Sequence, residues 1–127
     1  MFRRDAFSQW LGIKVVDVEP GACTLEMVIT DVMLNGFGLA HGGITFSLAD
    51  SALAFASNGR GRNAVSIETS ISHTKPVVAG DQLKAVAKEL QLGHRIAVYE
   101  VRVTNQNEEV VGLFKGTVYR KSSEWPA

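Results

Sequence analysis

His41-Gly42-Gly43-Ile44-Thr45-Phe46-Ser47-Leu48-Ala49-Asp50-Ser51-Ala52-Leu53-Ala54-Phe55-Ala56-Ser57-Asn58 is the stretch on which the fold turns. Its apolar run, 44–56, is the longest in the chain, rich in Ala and Leu and free of proline, and that length suits a helix better than a strand. Apolar residues fall on every side, so the helix is expected to be buried rather than to lie on a surface. Two features break the pattern: a Gly-Gly pair at the start and one carboxylate, Asp50, in the middle. An ionised carboxylate in a dry core costs several kcal/mol unless partners satisfy it. Asn58-Gly59 reads as a left-handed helix cap.

Upstream, 5–11 reads as a short helix with Phe7, Trp10 and Leu11 spaced three and four apart, ended by Gly12. Two β-branched runs, 13–18 and 23–29, flank Pro20-Gly21 and read as a hairpin. An irregular loop, 30–40, carries Asn35-Gly36 and Gly38 up to the helix start. Downstream the chain reads as strands. Val65, Ile67, Thr69 and Ile71 share one parity of a run over 63–74 that Lys75-Pro76 ends. Strands follow over 82–92, 95–105 and 110–119, with turns at Gly80-Asp81, Gly93 and 105–108, and 121–127 reads as a loose tail. The order implies one α+β domain over 1–127, an antiparallel sheet wrapped around one long central helix.

Thirteen basic and thirteen acidic residues cancel, so the sequence carries no electrostatic footprint for nucleic acid or anionic lipid. The single Cys23 forbids an intramolecular disulfide, fits a reducing compartment and reads as a small packed residue. No signal pattern opens the chain, and the run around Asp50 is too short and interrupted to span a bilayer, so a soluble cytoplasmic protein is expected. His41, His73 and His94 lack the close Cys or carboxylate spacing of a zinc site, so no metal is expected. Gly59-Arg60-Gly61-Arg62 follows a helix and lacks the P-loop lysine, and no Gly-x-Ser-x-Gly elbow exists.

What remains is His41-Gly42-Gly43 with Asp50. A helix start offers unpaired N–H groups and partial positive charge, and glycine lets a substrate approach the backbone. The pair equally serves as a tight entry turn, and Asp50 as a paired structural acid. If both are functional, length constrains them. Eight residues of helix separate Gly42 from Asp50 by roughly 12 Å, too far for one carbonyl to touch both in one chain. Two antiparallel copies of the helix about a two-fold axis would place each Asp50 opposite the other's helix start. The site would then need at least a dimer.

Asn35-Gly36, His41-Gly42-Gly43, Phe46, 48–52, 54–58, Thr69, Ile71, Pro76, Gly80-Asp81, Gly93, Leu113-Phe114 and Gly116 together resemble the hotdog-fold acyl-CoA thioesterases of the phenylacetic-acid-degradation (PaaI) type. The resemblance covers nearly the whole chain. It implies a hotdog fold, a homodimer with active sites between protomers, and a dimer of dimers. It assigns Asp50 as the catalytic carboxylate and the Gly42 N–H as the donor to the thioester carbonyl. Asn35 and His41 would shape the site, and Ser51, where the family often has Thr, would orient the water. The substrate is an aryl-acyl or medium-chain acyl-CoA, coenzyme A being part of it, with no further cofactor. The sequence departs from the family at His73 and Lys75, before Pro76, where an aromatic and an Arg are common. It departs again at His94, followed by Arg95, where the family often has Lys. CoA phosphate contacts are assigned to Lys75, His94, Arg95 and Arg120. The rival readings are a non-catalytic acyl-CoA-binding hotdog protein and a hotdog acyl-thioester dehydratase. The dehydratase needs a His base paired with an acid in its own motif, which is not found here.

Overall fold

The computed structural model describes residues 1–125. A 3-10 turn over Phe2–Arg4 leads into α1 (Ala6–Trp10), and β1 (Lys14–Glu19) and β2 (Ala22–Val28) form the expected hairpin. The long helix is α2 (Gly42–Asn58). The remaining strands are β3 (Arg62–His73), β4 (Gln82–Leu92), β5 (Ile96–Thr104) and β6 (Val110–Glu124). All six strands make one antiparallel sheet in the order β1-β2-β4-β5-β6-β3. This is the α+β architecture expected from the sequence, with α2 lying against the sheet.

Small residues set the closeness of helix and sheet. Strand side chains alternate between faces, and the inward set of β4 and β5 includes Ala85, Ala87 and Ala97, all fully buried. They meet Ala49, Ala52 and Ala56 of α2 together with Leu48 and Leu53 in one core. Gly116 on β6 is the tightest point: a Cβ there would stand 2.5 Å from Leu53 Cδ2. The register places Tyr99 opposite Gly116, so the large ring stands beside the gap. Cys23 is buried in the same core, and burial, helped by the charge of Asp17, pushes its thiol up to about 12, keeping it a packed thiol rather than a nucleophile.

Four expectations are corrected. Gly59 does not adopt the left-handed conformation; its φ is −64°, and the positive φ falls at Gly61. Two backbone carbonyls, Glu19 O and Phe55 O, crowd Gly59 instead, at 3.1 and 3.2 Å from where a Cβ would sit. In β3 a register shift between Ser66 and Glu68 breaks the alternation, leaving Val65 and Ile67 45% and 58% exposed on a sheet edge. Of the three apolar residues expected to share a face of the first helix, only Leu11, just past the end of α1, is buried; Phe7 and Trp10 are exposed. Residues 121–124 are no loose tail but the end of β6, held by pairing with β3 as far as Arg62↔Glu124. Pro126 and Ala127 lie outside the described residues. No helix among the described residues is long and apolar enough to cross a membrane.

Candidate active site

The start of α2 is built by its own flanks. His41 takes an extended conformation (φ −59°, ψ 137°) and caps the helix, its Nδ1 accepting from the Gly43 N–H at 2.9 Å. The Gly42 N–H is left without a partner among the described residues. A first-turn N–H has no acceptor within its helix, so this donor is available to a ligand. The loop before it is fixed by Asn35, whose Oδ1 accepts from the Phe37 and Leu39 N–H groups, leaving its amide NH₂ without a partner among the described residues. His41 N–H bonds to Met33 O, and Ala40 N–H to Val77 O, tying the loop to the segment after β3.

These elements line an open cleft of about 360 Å³ that brings Asn35 and Gly42 together with Thr45, His73 and Lys75. His73 lies beside the helix start: a Cβ on Gly42 would come 3.2 Å from its Nε2. The sequence marked His73 as a departure from a family pattern; the end of β3 brings its ring beside Gly42. Lys75, expected to contact phosphate, forms an ion pair with Glu109. The other expected phosphate contacts do not join it. His94 is exposed on the β4–β5 turn, Arg95 bonds to Ser122 Oγ, and Arg120 bonds to Gly93 O. β6 pairs with β3 so that Gly112 meets His73 and Arg120 meets Ala64. Arg120 therefore sits at the C-terminal end of α2, across the sheet from Lys75.

Asp50 does not line that cleft. α2 runs unbroken from Gly42 to Asn58, so the axial separation of roughly 12 Å stands. Its carboxylate is half-buried and forms no hydrogen bond or ion pair among the described residues. Burial, and then the charge of Asp5, raise its pKa from the ordinary carboxylate value. An unpaired acid with such surroundings marks a functional candidate rather than a structural one.

Ser51 is engaged from the side of α1. Its Oγ lies 2.7 Å from the buried Ser8 Oγ, and Ser8 in turn donates to Asp5 Oδ2 at 2.7 Å. Because the Ser8 proton goes to a carboxylate, which only accepts, the Ser51 proton must go to Ser8. Ser51 therefore has no proton to give a water beside Asp50. Asp5 caps α1 through Ser8, and the meeting of that pair with Ser51 is tertiary.

The segment 37–111 matches the family model described as the thioesterase superfamily. The Escherichia coli acyl-coenzyme A thioesterase PaaI is 38% identical over 94% of this chain and 86% of its own. The solved structure of the E. coli PaaI protein from the phenylacetic acid degradation operon matches with a TM-score of 0.96 and 37% identity, over 98% of this chain and 90% of that one. A Streptococcus mutans protein solved bound to acetyl CoA matches with a TM-score of 0.86 and 29% identity, over 89% and 91%.

Proposed function

The chain belongs to the thioesterase superfamily, with the hotdog fold, and from that membership we propose that it hydrolyses acyl-CoA thioesters to a free acid and coenzyme A, with aryl-acyl or medium-chain acyl groups as substrates. One observation carries the reading. A single unbroken helix holds an unpaired N–H at its start and an unpaired, half-buried carboxylate eight residues later. The Gly42 N–H, reinforced by the helix dipole, polarises the thioester carbonyl and stabilises the oxyanion as it forms. Asp50 of a second protomer brings the oxygen: as a base it takes a proton from a water whose oxygen adds to the carbonyl carbon, or as a nucleophile it adds itself and the resulting anhydride is then hydrolysed by water; either route needs it ionised. The thiolate of coenzyme A leaves. Asn35, through its NH₂, and His41, through the cap that shapes the helix start, complete the site, and His73 borders the acyl side. Lys75, His94, Arg95 and Arg120 are proposed for the CoA phosphates. In a two-fold pair they would come from both chains, because Lys75 and the arginines stand at opposite ends of the sheet.

The exposed edge of β3 supports pairing of two copies. A twelve-residue edge strand with Val65 and Ile67 in solvent is a surface that proteins ordinarily cover. The active unit is proposed as a homodimer, pairing further into a dimer of dimers, working in the cytoplasm without metal or redox cofactor.

The test measures free thiol released from a series of acyl-CoAs, and then mixes inactive Asp50→Ala with inactive Gly42→Pro. Subunit exchange is expected to restore about a quarter to a half of wild-type activity, since one of the two sites in each heterodimer is then intact. Folded heterodimers without activity would overturn the shared site.

A further inference from the structure

We propose that Asp5 is a positioning residue for the hydrolysis: through Ser8 and Ser51 it clamps α1 onto the middle of α2 and holds a second carboxylate in the surroundings of Asp50. The inference rests on the function proposed above and adds a residue to it. Asp5 caps α1, its Oδ1 accepting from the Ser8 N–H at 2.9 Å and its Oδ2 from the Ser8 hydroxyl at 2.7 Å. Ser8 is fully buried and meets Ser51, itself buried, at 2.7 Å. Ser51 follows Asp50 in the chain, so the clamp closes one residue from the reacting carboxylate. The direction of the protons runs from Ser51 to Ser8 to Asp5, and it requires Asp5 to be an acceptor throughout.

α2 carries no charged side chain other than Asp50. The buried strand residues that face it are apolar; of the titratable groups on those strands, Tyr99 turns its hydroxyl to Glu89, Cys23 is a packed thiol, and His73 stands at the helix start beside Gly42, roughly 12 Å along the axis from Asp50. Arg3 and Arg4 of the N-terminal turn and Lys14, Asp17 and Glu19 of β1 are exposed. Asp5 is thus the charged group that bears on Asp50, and a negative charge there opposes ionisation. In the proposed dimer the second protomer adds its helix start, with His41, which acts on Asp50 in both wild type and variant.

An Asn at position 5 separates the roles. It caps a helix as well as Asp does and keeps Oδ1 for the Ser8 N–H, but it puts a donor NH₂ where Oδ2 was and removes the charge, so the Ser8 and Ser51 hydroxyls reverse while the cap stays. The experiment compares the acid limb of kcat/KM against pH for wild type and Asp5→Asn, alongside ¹³C NMR titration of the Asp50 carboxyl in both. The expected result is an acid limb and an NMR midpoint displaced to lower pH in Asp5→Asn. An unmoved limb and an unmoved midpoint would overturn the inference and leave Asp5 a helix cap. Full activity in Asp50→Asn would instead overturn the function on which it rests. Should Asp5→Asn not fold, Ser8→Ala breaks the same clamp, and an unmoved Asp50 midpoint there is equally decisive against it.

Discussion

The two ends of α2 are built on opposite terms. At the C-terminal end Asn58 is buried and closed off: its Nδ2 donates to Ala54 O and Ala64 O, and its Oδ1 accepts from the Ala64 N–H and from Trp125 Nε1 at 2.6 Å. Gly59 N–H bonds to Phe55 O beside it. At the N-terminal end His41 satisfies Gly43 and leaves Gly42 open to solvent. A folded chain satisfies most of its buried polar groups, while a first-turn N–H left facing solvent stays available to a ligand. The closed end holds the helix to the sheet; the open end is left for chemistry, and Asp50 stands between them.

The largest test of this contrast removes the charge in the middle. Asp50→Asn is expected to lower kcat by roughly 10²–10⁴ while the fold becomes slightly more stable at neutral pH. The sign follows from burial and Asp5 having raised the Asp50 pKa. Between the ordinary carboxylate value and the raised one, the folded chain holds a proton that the unfolded chain has lost, so wild-type stability falls as pH rises through that window. Above it the ionised carboxylate is a net cost. The variant should show a Tm higher by about 1–3 °C at neutral pH, a small figure because the carboxylate is only half-buried. The gain should vanish as pH falls to the ordinary carboxylate range. A lower Tm with full activity would erase the distinction between open and closed.

Next comes the open end. Gly42→Pro removes the N–H at a position where proline suits a helix, after a residue already extended. Steady-state kinetics should show a loss of roughly 10²–10³ with helix content by circular dichroism unchanged. Gly42→Ala is the control, adding the Cβ that presses on His73 while keeping the donor. If both variants lose equally, crowding at His73 rather than the N–H accounts for the effect. The smallest effect on rate belongs to the closed end. Asn58→Ala should destabilise by about 2–3 kcal/mol in denaturant unfolding, with turnover per folded molecule unaltered.

The helix and the antiparallel strands around it were legible because 44–56 is long and apolar and because strands alternate over 82–92 and 95–105, whereas the strand order was not. The site was half legible. Gly42 and Asp50 stood out as a helix start and a buried charge, and helix length alone separated them. Misreadings cluster where polar residues carry structure. Residues 120–124, Arg-Lys-Ser-Ser-Glu, show no apolar alternation, yet backbone pairing with β3 makes them strand. Ser51 offered a hydroxyl, and only the fold revealed that Ser8 takes its proton.

By itself the sequence determined the helix, its glycine start, its lone acid and the distance between them, because these depend on local periodicity and a fixed rise per residue. Only the tertiary structure decided which of those groups are left unpaired. That is settled by residues distant in the chain: Asn58 closed by Ala64 and Trp125, Ser51 claimed by Ser8, His73 brought to Gly42. A hydrogen bond is spent on whichever partner packing brings near, and no local pattern records that choice.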